Sequence, residues 1–426
     1  MKDRILLIGG NFYPELTGIG KYNGEMMKWL AEKGYEYHVI TTYPYYPQWK
    51  VQTDYWKKRT WYSTENLIET NGSKVTRCPH YVPGKPSGVK RLMSDLSIFF
   101  STSMVLIGTL FKPRYTYIMV VSPPFMLGLL GWVYKTIRRA KFIYHIQDLQ
   151  IDAARDLGLI KSKFVINTML AIEKFILSKA DVVSTISENM MAKVKAKCNK
   201  EVVFFPNWVD VEKFYPISDN HVVRLRFGFG PGDFIVLYSG AIGEKQGLES
   251  IISCAFNLSN QLPRVKFIIC GSGPYKDQLV ALANERNLTN LSFLPLQPME
   301  TFNEFLNLAD VHLVLQKSNA GDLVLPSKLS TILAVGGISV VAAVHGTSLF
   351  NIIHSSDLGF TIEPENQEAL DKAIQFLYHN PASGKAANAR RYAESYLSIN
   401  SILSNFSSCV FNFLSPVVKP FKEEDR

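Results

Sequence analysis

The chain has 426 residues, 47% hydrophobic and 19% charged, with 27 Gly and 21 Pro, which excludes disorder, collagen-like repeats and low complexity and leaves material for two or three domains. Its five Cys, at 78, 198, 254, 270 and 409, never form a close pair, which excludes a disulfide framework and a CxxC zinc site and points to a reducing compartment. The net charge is +9, yet residues 1–205 carry 29 Lys and Arg against 16 Asp and Glu while residues 206–426 carry 17 against 21, so all the positive excess sits in the half expected to face a polyanion or an anionic membrane.

The first apolar run, Ile5–Ile8, is too short for an export signal. It reads as a strand, Arg4–Ile8, followed by a loop, Gly9–Gly20. A helix follows over about Lys21–Lys33, with Tyr22, Met26, Met27 and Leu30 on one stripe and Gly34 as its stop. The next strand is Glu36–Thr42. Beyond it, Lys57, Lys58, Arg59, Lys74 and Arg77 interleave with Trp49, Trp56, Trp61 and several Tyr, a mixture that suits a lipid headgroup interface, single-stranded nucleic acid or simply a solvated face. Leu92–Phe111 leans apolar between Arg91 and Lys112, but it contains Asp95, Ser and Thr. It reads as a buried or membrane-grazing helix rather than a span. Further strands are expected at Tyr117–Val121, Lys141–His145, Val182–Ile186 and Val202–Phe205, with a helix at Phe164–Ser178.

Pro206–Phe227 shows no period and reads as a linker. The pattern then restarts, with strands at Phe234–Tyr238, Val265–Cys270, Leu291–Leu294, Val311–Leu315, Ser339–Ala343 and Phe360–Ile362. Helices fall between them, at Gly247–Leu258, Tyr275–Glu285, Glu300–Leu308 and Leu329–Val335. Short continuous apolar runs alternating with helices specify parallel sheets covered on both faces. The expected fold is therefore α/β, with two doubly wound Rossmann-like domains, 1–205 and 206–395, facing each other across a cleft. Such sheets bind ligands at the carboxyl ends of their strands.

Several strand-end loops carry candidate chemistry. Gly18-Ile19-Gly20-Lys21 fits neither the dinucleotide fingerprint nor the P-loop, and leaves a flexible loop feeding a helix N-terminus. Gly240 to Gly247 brings Lys245 to a predicted helix start, and Gly271 and Gly273 follow the next strand. Leu325-Pro326-Ser327-Lys328-Leu329 precedes another helix. Glycines allow close backbone approach and lysines neutralise phosphate, so the three loops of the second half together point to a diphosphate site. Any one of them alone is ordinary turn chemistry. His145, in His145-Ile146-Gln147-Asp148, is a catalytic candidate by position and equally a structural strand residue. The eight His are scattered and no Asp-x-Asp occurs, so no metal site and no cofactor are expected. No nucleic-acid-binding motif appears.

Pro14-Glu15-Leu16-Thr17-Gly18-Ile19-Gly20-Lys21, Pro44-Tyr45-Tyr46-Pro47, His145 to Asp148, Pro206-Asn207-Trp208-Val209-Asp210, Gly240 to Gly247 and Leu325 to Leu329 resemble one family, the GT-B glycosyltransferases of family four. They are most similar to the colanic acid and O-antigen branch that handles fucose-type sugars. The resemblance runs from about residue 4 to about 400. It implies a retaining, metal-independent transfer from a nucleotide-diphosphate sugar, GDP- or UDP-linked. The donor would lie in the second domain. The first would hold the acceptor, a glycan on a polyprenyl diphosphate at the inner face of the plasma membrane. A final helix at about 393–414 would return to the first domain.

By the same resemblance Lys245 is the phosphate lysine, and His145 lies beside the transferred sugar. Gly18, Gly20, Gly240, Gly271, Gly273, Ser327, Lys328 and Leu329 line the donor. Two departures stand out. Ala241 replaces a common Arg, and Leu323 and Thr331 replace paired glutamates, with Asp322 beside the first. Lys328 is the substitute available for the missing Arg. A sugar-nucleotide epimerase of the same fold and an inactive binding relative are the alternatives.

Overall fold

The computed structural model describes residues 3–15, 17–66, 72–85, 87–156, 158, 160, 162–318, 326–380 and 383–411. They form two compact units, one running to Pro206 and resuming at Asn405, the other Asn207–Ser404.

In the first unit the strands are β1 (Arg4–Gly9), β2 (Glu36–Thr42), β3 (Ser63–Asn66), β4 (Lys74–Cys78), β5 (Tyr117–Ser122), β6 (Lys141–Ile146), β7 (Val182–Thr185) and β8 (Val202–Phe204). They form one sheet in the order β3-β4-β2-β1-β5-β6-β7-β8, parallel except for β3, which runs antiparallel to β4. Every residue of Ile5–Gly9 and of β5 is buried, the signature of strands covered on both faces. The order reverses between β1 and β5, which makes that pair the switch point where ligands bind in such sheets.

The pair β3–β4 is absent from the sequence reading, and the reason is chemical. Most of its side chains are polar and find partners inside the sheet: Thr76 bonds His38 Nε2 at 2.8 Å and Thr64 at 3.1 Å. Arg77, 1% exposed, donates to the carbonyls of Tyr13 at 2.5 Å and Thr42 at 3.5 Å and pairs with Glu65 at 3.4 Å. A buried guanidinium needs such partners. Arg77 thus fixes the loop after β1 to the far strands.

The helix α1 spans Gly18–Glu32, so it begins earlier than the expected Lys21 and takes Gly18 and Gly20 out of the loop and into its first turn. The helix α2 spans Gly88–Leu110. It buries Ser94, Ile98, Thr102, Leu106 and Thr109 and exposes Val89, Met93, Phe100, Met104 and Ile107, with Phe111 exposed just past its end. The spacing of 3, 4 and 7 puts the exposed set on one face, opposite the buried one. The inward face mixes Ile98 and Leu106 with small hydroxyl residues, while the outward face carries large apolar residues. Arg138 closes its end by donating to the carbonyls of Leu110 and Lys112 at 2.7 and 2.9 Å, which satisfies groups a helix terminus leaves open.

The second unit holds β9 (Phe234–Ser239), β10 (Val265–Cys270), β11 (Leu291–Leu294), β12 (Val311–Val314), β13 (Ser339–Ala342) and β14 (Gly359–Ile362). They form a parallel sheet ordered β11-β10-β9-β12-β13-β14, with its switch point between β9 and β12. Two elements differ from expectation. The stretch read as an aperiodic linker contains a helix, His221–Arg226, too short to show a period. The helix expected at 393–414 is interrupted at Ser398, whose backbone is extended. There the chain bonds Val209 instead, through Val209 N–H to Leu397 O at 2.8 Å and Ile399 N–H to Val209 O at 3.1 Å. A separate helix then runs Ile399–Val410. Residues 412–414 lie outside the described residues. Phe406 of that helix stacks on Phe205 at 3.7 Å, and Phe411 meets Tyr117 at 4.8 Å, all four in the first unit.

Arg77→Met leaves two carbonyls and Glu65 without their cation. The expected cost is about 3–5 kcal/mol, read as an earlier urea midpoint. Arg77→Lys should recover little of it, because an ammonium lacks the planar fork.

Candidate active site

In the second unit the loop leaving β9 begins at Gly240, with φ +153°, and ends at Gly247, with φ +61°. Lys245 lies between them in a 3-10 turn, Glu244–Gln246, and the helix starts only at Glu249. Lys245 is therefore not at a helix N-terminus as expected. Gly247 in the left-handed region breaks the chain between turn and helix. Lys245 is exposed. Its turn is held by Gly243 N–H donating to Gln246 Oε1 at 3.1 Å and by Lys317 N–H donating to Lys245 O at 2.9 Å.

Gly271 and Gly273 hold two loops together. A Cβ on Gly271 would stand 1.9 Å from Gly240 O, and one on Gly273 2.0 Å from Ile242 O. The two loops are zipped backbone to backbone, through Gly240 N–H to Cys270 O at 3.0 Å and Ile242 N–H to Ser272 O at 2.9 Å. The glycines are there because no side chain fits between the strands' ends. They hold the Gly240 loop in shape.

Lys328 sits in the first turn of the helix Ser327–Ala334, which follows Pro326. Its Nζ lies 4.0 Å from the centre of the Tyr238 ring and 3.3 Å from where a Gly240 Cβ would stand. Burial lowers its pKa to about 7: the amine is desolvated, and the aromatic face is a weak substitute for a carboxylate. The structure thus brings Gly240 and Lys328 together. Ser327 is exposed at the helix start. Leu329 is fully buried and its N–H already donates to Pro326 O at 2.8 Å, so it belongs to the core rather than to the donor pocket. Thr331 Oγ1 turns back to Ser327 O at 3.5 Å. Ala241 offers only backbone, its carbonyl accepting from Tyr238 Oη at 2.7 Å. Asp322, Leu323 and Leu325 lie outside the described residues.

Sequence reasoning missed two residues here. Tyr238 hides in an apolar strand, where its position next to the strand end was the available signal. Lys317 leaves β12 at the switch point and approaches Glu249 at 4.0 Å. Lys245 lies on the loop that leaves β9, and Lys317 and Lys328 follow β12, so all three are carried by segments bordering this switch point.

In the first unit the loop after β1 is organised by Glu15, 1% exposed. Its Oε1 accepts the N–H groups of Tyr45 and Tyr46, each at 2.8 Å, and its Oε2 accepts Asn11 Nδ2 at 2.9 Å. Burial raises its pKa, and these donors oppose the rise. Gly20 is small because a Cβ would stand 2.5 Å from Glu15 Oε2. Gly18, at φ +61°, faces Tyr46. The two glycines serve the close packing of α1 on this loop.

His145 is 1% exposed on β6, packed on Phe205 with ring centres 4.9 Å apart. Its Nδ1 meets Ser184 Oγ and its Nε2 meets Gln147 Nε2, both at 3.0 Å. Gln147 can only donate there, so the proton is on Nδ1 and the ring is neutral. Burial lowers its pKa to about 3. Of the two roles the sequence left open, the structure shows the features of the structural one: the imidazole is buried, with both ring nitrogens paired and Phe205 packed against it. Among the described residues no three His, Cys, Asp or Glu are grouped to hold a metal ion.

Comparison with known proteins places this geometry. Residues 219–396 match the family described as glycosyl transferases group 1, and residues 17–208 match the glycosyl transferase 4-like domain. The chain is 39% identical to the putative colanic acid biosynthesis glycosyl transferase WcaI of Escherichia coli K12, over 95% of this chain and 98% of that one. It is 24% identical to the probable glycosyltransferase WbjE of Pseudomonas aeruginosa, over 65% and 69% of the two chains. Among solved structures it is similar in fold to sucrose-phosphate synthase from Thermosynechococcus elongatus, at a TM-score of 0.71 and 18% identity over 96% and 99% of the chains. HepE of Anabaena in complex with UDP and glucose matches at a TM-score of 0.68 and 13% identity, over 96% and 100%.

Gly271→Ala forces a methyl into the Gly240 carbonyl, so the loops must part. The expected result is a loss of about 2 kcal/mol or more, in the range of strained and overpacked sites. The same substitution at Gly346, where a Cβ meets nothing within 4 Å but φ is +81°, should cost about 1 kcal/mol. Thermal denaturation of both variants checks the difference.

Proposed function

The chain belongs to the group 1 glycosyl transferases of GT-B fold, and from that premise we propose a retaining transfer of a sugar, fucose-type or an N-acetylated deoxysugar, from a nucleotide-diphosphate donor to a polyprenyl-diphosphate-linked glycan. The C1–O bond to the diphosphate breaks and a bond from C1 to the acceptor oxygen forms on the same face. The acceptor proton leaves with the diphosphate oxygen. The transition state gathers charge on the departing diphosphate, where fixed cations act most strongly.

The observation that carries the reading is Lys328, its amine buried against Tyr238 and Gly240 at the switch point. It is the cation available where the family's Arg is replaced by Ala241. Lys245 and Lys317 add charge, and no divalent metal is needed in this scheme. His145, neutral and buried within the first unit's sheet, does not exchange protons in this scheme. Relatives that bind UDP and glucose in their solved structures support a nucleotide sugar as donor.

The membrane part of the proposal rests on α2. It is the one helix among the described residues long and apolar enough to cross a bilayer. Yet one of its faces packs on the unit while the other exposes Phe100, Met104, Ile107 and Phe111 at 65, 63, 53 and 85%. Lys90 lies near its start, and Lys112 and Arg114 follow it, all exposed. An apolar stripe with cations at both ends fits the acyl–headgroup boundary of an anionic bilayer, lying in the surface rather than spanning. Such an enzyme works at the cytoplasmic face, where a lipid-linked acceptor is carried.

Three outcomes follow. Release of nucleoside diphosphate from GDP-, UDP- or dTDP-sugars in the presence of acceptor glycolipid should persist in EDTA; complete loss restored by Mg²⁺ or Mn²⁺ overturns the metal-free scheme. Lys328 must be protonated to hold a diphosphate, so nucleoside-diphosphate affinity should fall as pH rises above about 7, by up to tenfold per unit. Lys328→Met should bind weakly and without that pH dependence. Vesicle co-sedimentation of the whole chain should be strong with anionic lipid. Phe100→Ser with Met104→Ser should weaken it at least tenfold, and unchanged binding would remove α2 as the contact.

A further inference from the structure

In the first unit the segment between β2 and β3 and the segment after β4 border an open pocket of about 610 Å³ lined by Trp49, Lys50, Trp56, Arg59, His80 and Val82 among others. Trp49 is held at φ +52°, a left-handed conformation that a bulky residue rarely adopts and that concentrates at binding sites. Its ring stands edge-on to Tyr45 at 5.5 Å, and Tyr45 meets His80 at 4.8 Å on a second contact. Tyr45 is itself tied to Glu15, so the wall is anchored to the loop after β1. Arg59 lies over the Trp56 ring at 3.5 Å, and Arg91 over Trp49 at 5.2 Å.

The pocket's polar chemistry is one-sided. Lys50 and Arg59 line it, and among the described residues no Asp or Glu does. Both ring nitrogens of His80 are buried and neither is matched by a hydrogen bond of good geometry; the Cys78 backbone interacts with the ring and opposes the fall in its pKa. Burial lowers that pKa to about 4, so His80 is neutral and presents one donor and one acceptor. Buried polar atoms in native folds are normally paired, so these two mark a place for a ligand with hydroxyls.

We propose that this pocket binds the acceptor as an anionic saccharide. The C–H face of a pyranose packs on Trp56 and Trp49, as apolar rings do on indole. Its hydroxyls bond His80, and its acid group pairs with Arg59 and Lys50. The acid is either the carboxylate of a uronic acid or the phosphate of a glycosyl phosphate. This deepens the glycosyl-transfer reading and rests on it.

Isothermal titration calorimetry of the full chain tests the pocket. The probes are a glucuronic-acid disaccharide, glucose 1-phosphate and the neutral disaccharide, with UDP and GDP titrated separately. Each anionic probe that the pocket serves should bind at least tenfold more tightly than the neutral sugar. Trp56→Ala and Arg59→Gln should each lose at least tenfold for that probe and leave nucleoside-diphosphate affinity unchanged. Binding of the uronate alone assigns the acid to the glycan, and binding of the phosphate alone assigns it to the carrier end. Equal affinity for neutral and anionic sugars overturns the proposal, as does unchanged affinity in both variants. So does failure of both anionic probes in a chain that binds UDP or GDP normally. A chain that also fails to bind either nucleotide overturns the donor reading as well.

Discussion

A buried carboxylate must be given donors or it will not stay charged, and Glu15 is the group on which the first unit's working edge depends. Three N–H donors from Asn11, Tyr45 and Tyr46 converge on it. They come from two loops that are thirty residues apart in the chain. Everything nearby inherits its position from that convergence. Gly20 must be small to let the carboxylate in. Tyr45 is held where Trp49 and His80 pack on it. Arg77 secures the same loop from the other side through the Tyr13 carbonyl.

The second unit solves the equivalent problem without charge. Its site loop is shaped by backbone against backbone, and the interlocking admits no side chain at Gly271 or Gly273. This frees the cations for ligand. Lys328 is desolvated beside Gly240 with an aromatic ring as its near neighbour, a state that an arriving diphosphate would relieve. A lysine kept without a carboxylate is poised for an anion in a way that a surface lysine is not. The glycines therefore act on binding indirectly, by building the wall against which the amine is held.

Charge and apolarity are sorted the same way across the chain. The positive excess of the first half accompanies a helix that exposes a stripe of large apolar residues, Met93, Phe100, Met104 and Ile107. Either feature alone is ordinary: many solvated surfaces are basic, and exposed apolar residues are common. Their coincidence at one helix is what ties the acceptor unit to a lipid surface in the proposed function.

The sequence by itself determined the fold class, most strand positions and the division near residue 206, because continuous apolar runs report burial on both faces wherever they occur. It also supplied the motif strings, and with them the family. It was silent on β3 and β4, whose polar side chains are satisfied only by neighbours across the sheet, and on the break at Ser398, which Val209 imposes from far along the chain. It pointed to Gly271, Gly273, His145 and Leu329 as site residues, but which of these face a ligand depends on what lies opposite. Only the tertiary structure decided that the glycines meet backbone and that the imidazole faces Ser184 and Phe205. The same holds for Lys328, whose amine stands beside Gly240, and for Trp49 and His80, which share a pocket. A motif records residue types in order; accessibility, protonation and pairing arise from neighbours that are distant in sequence.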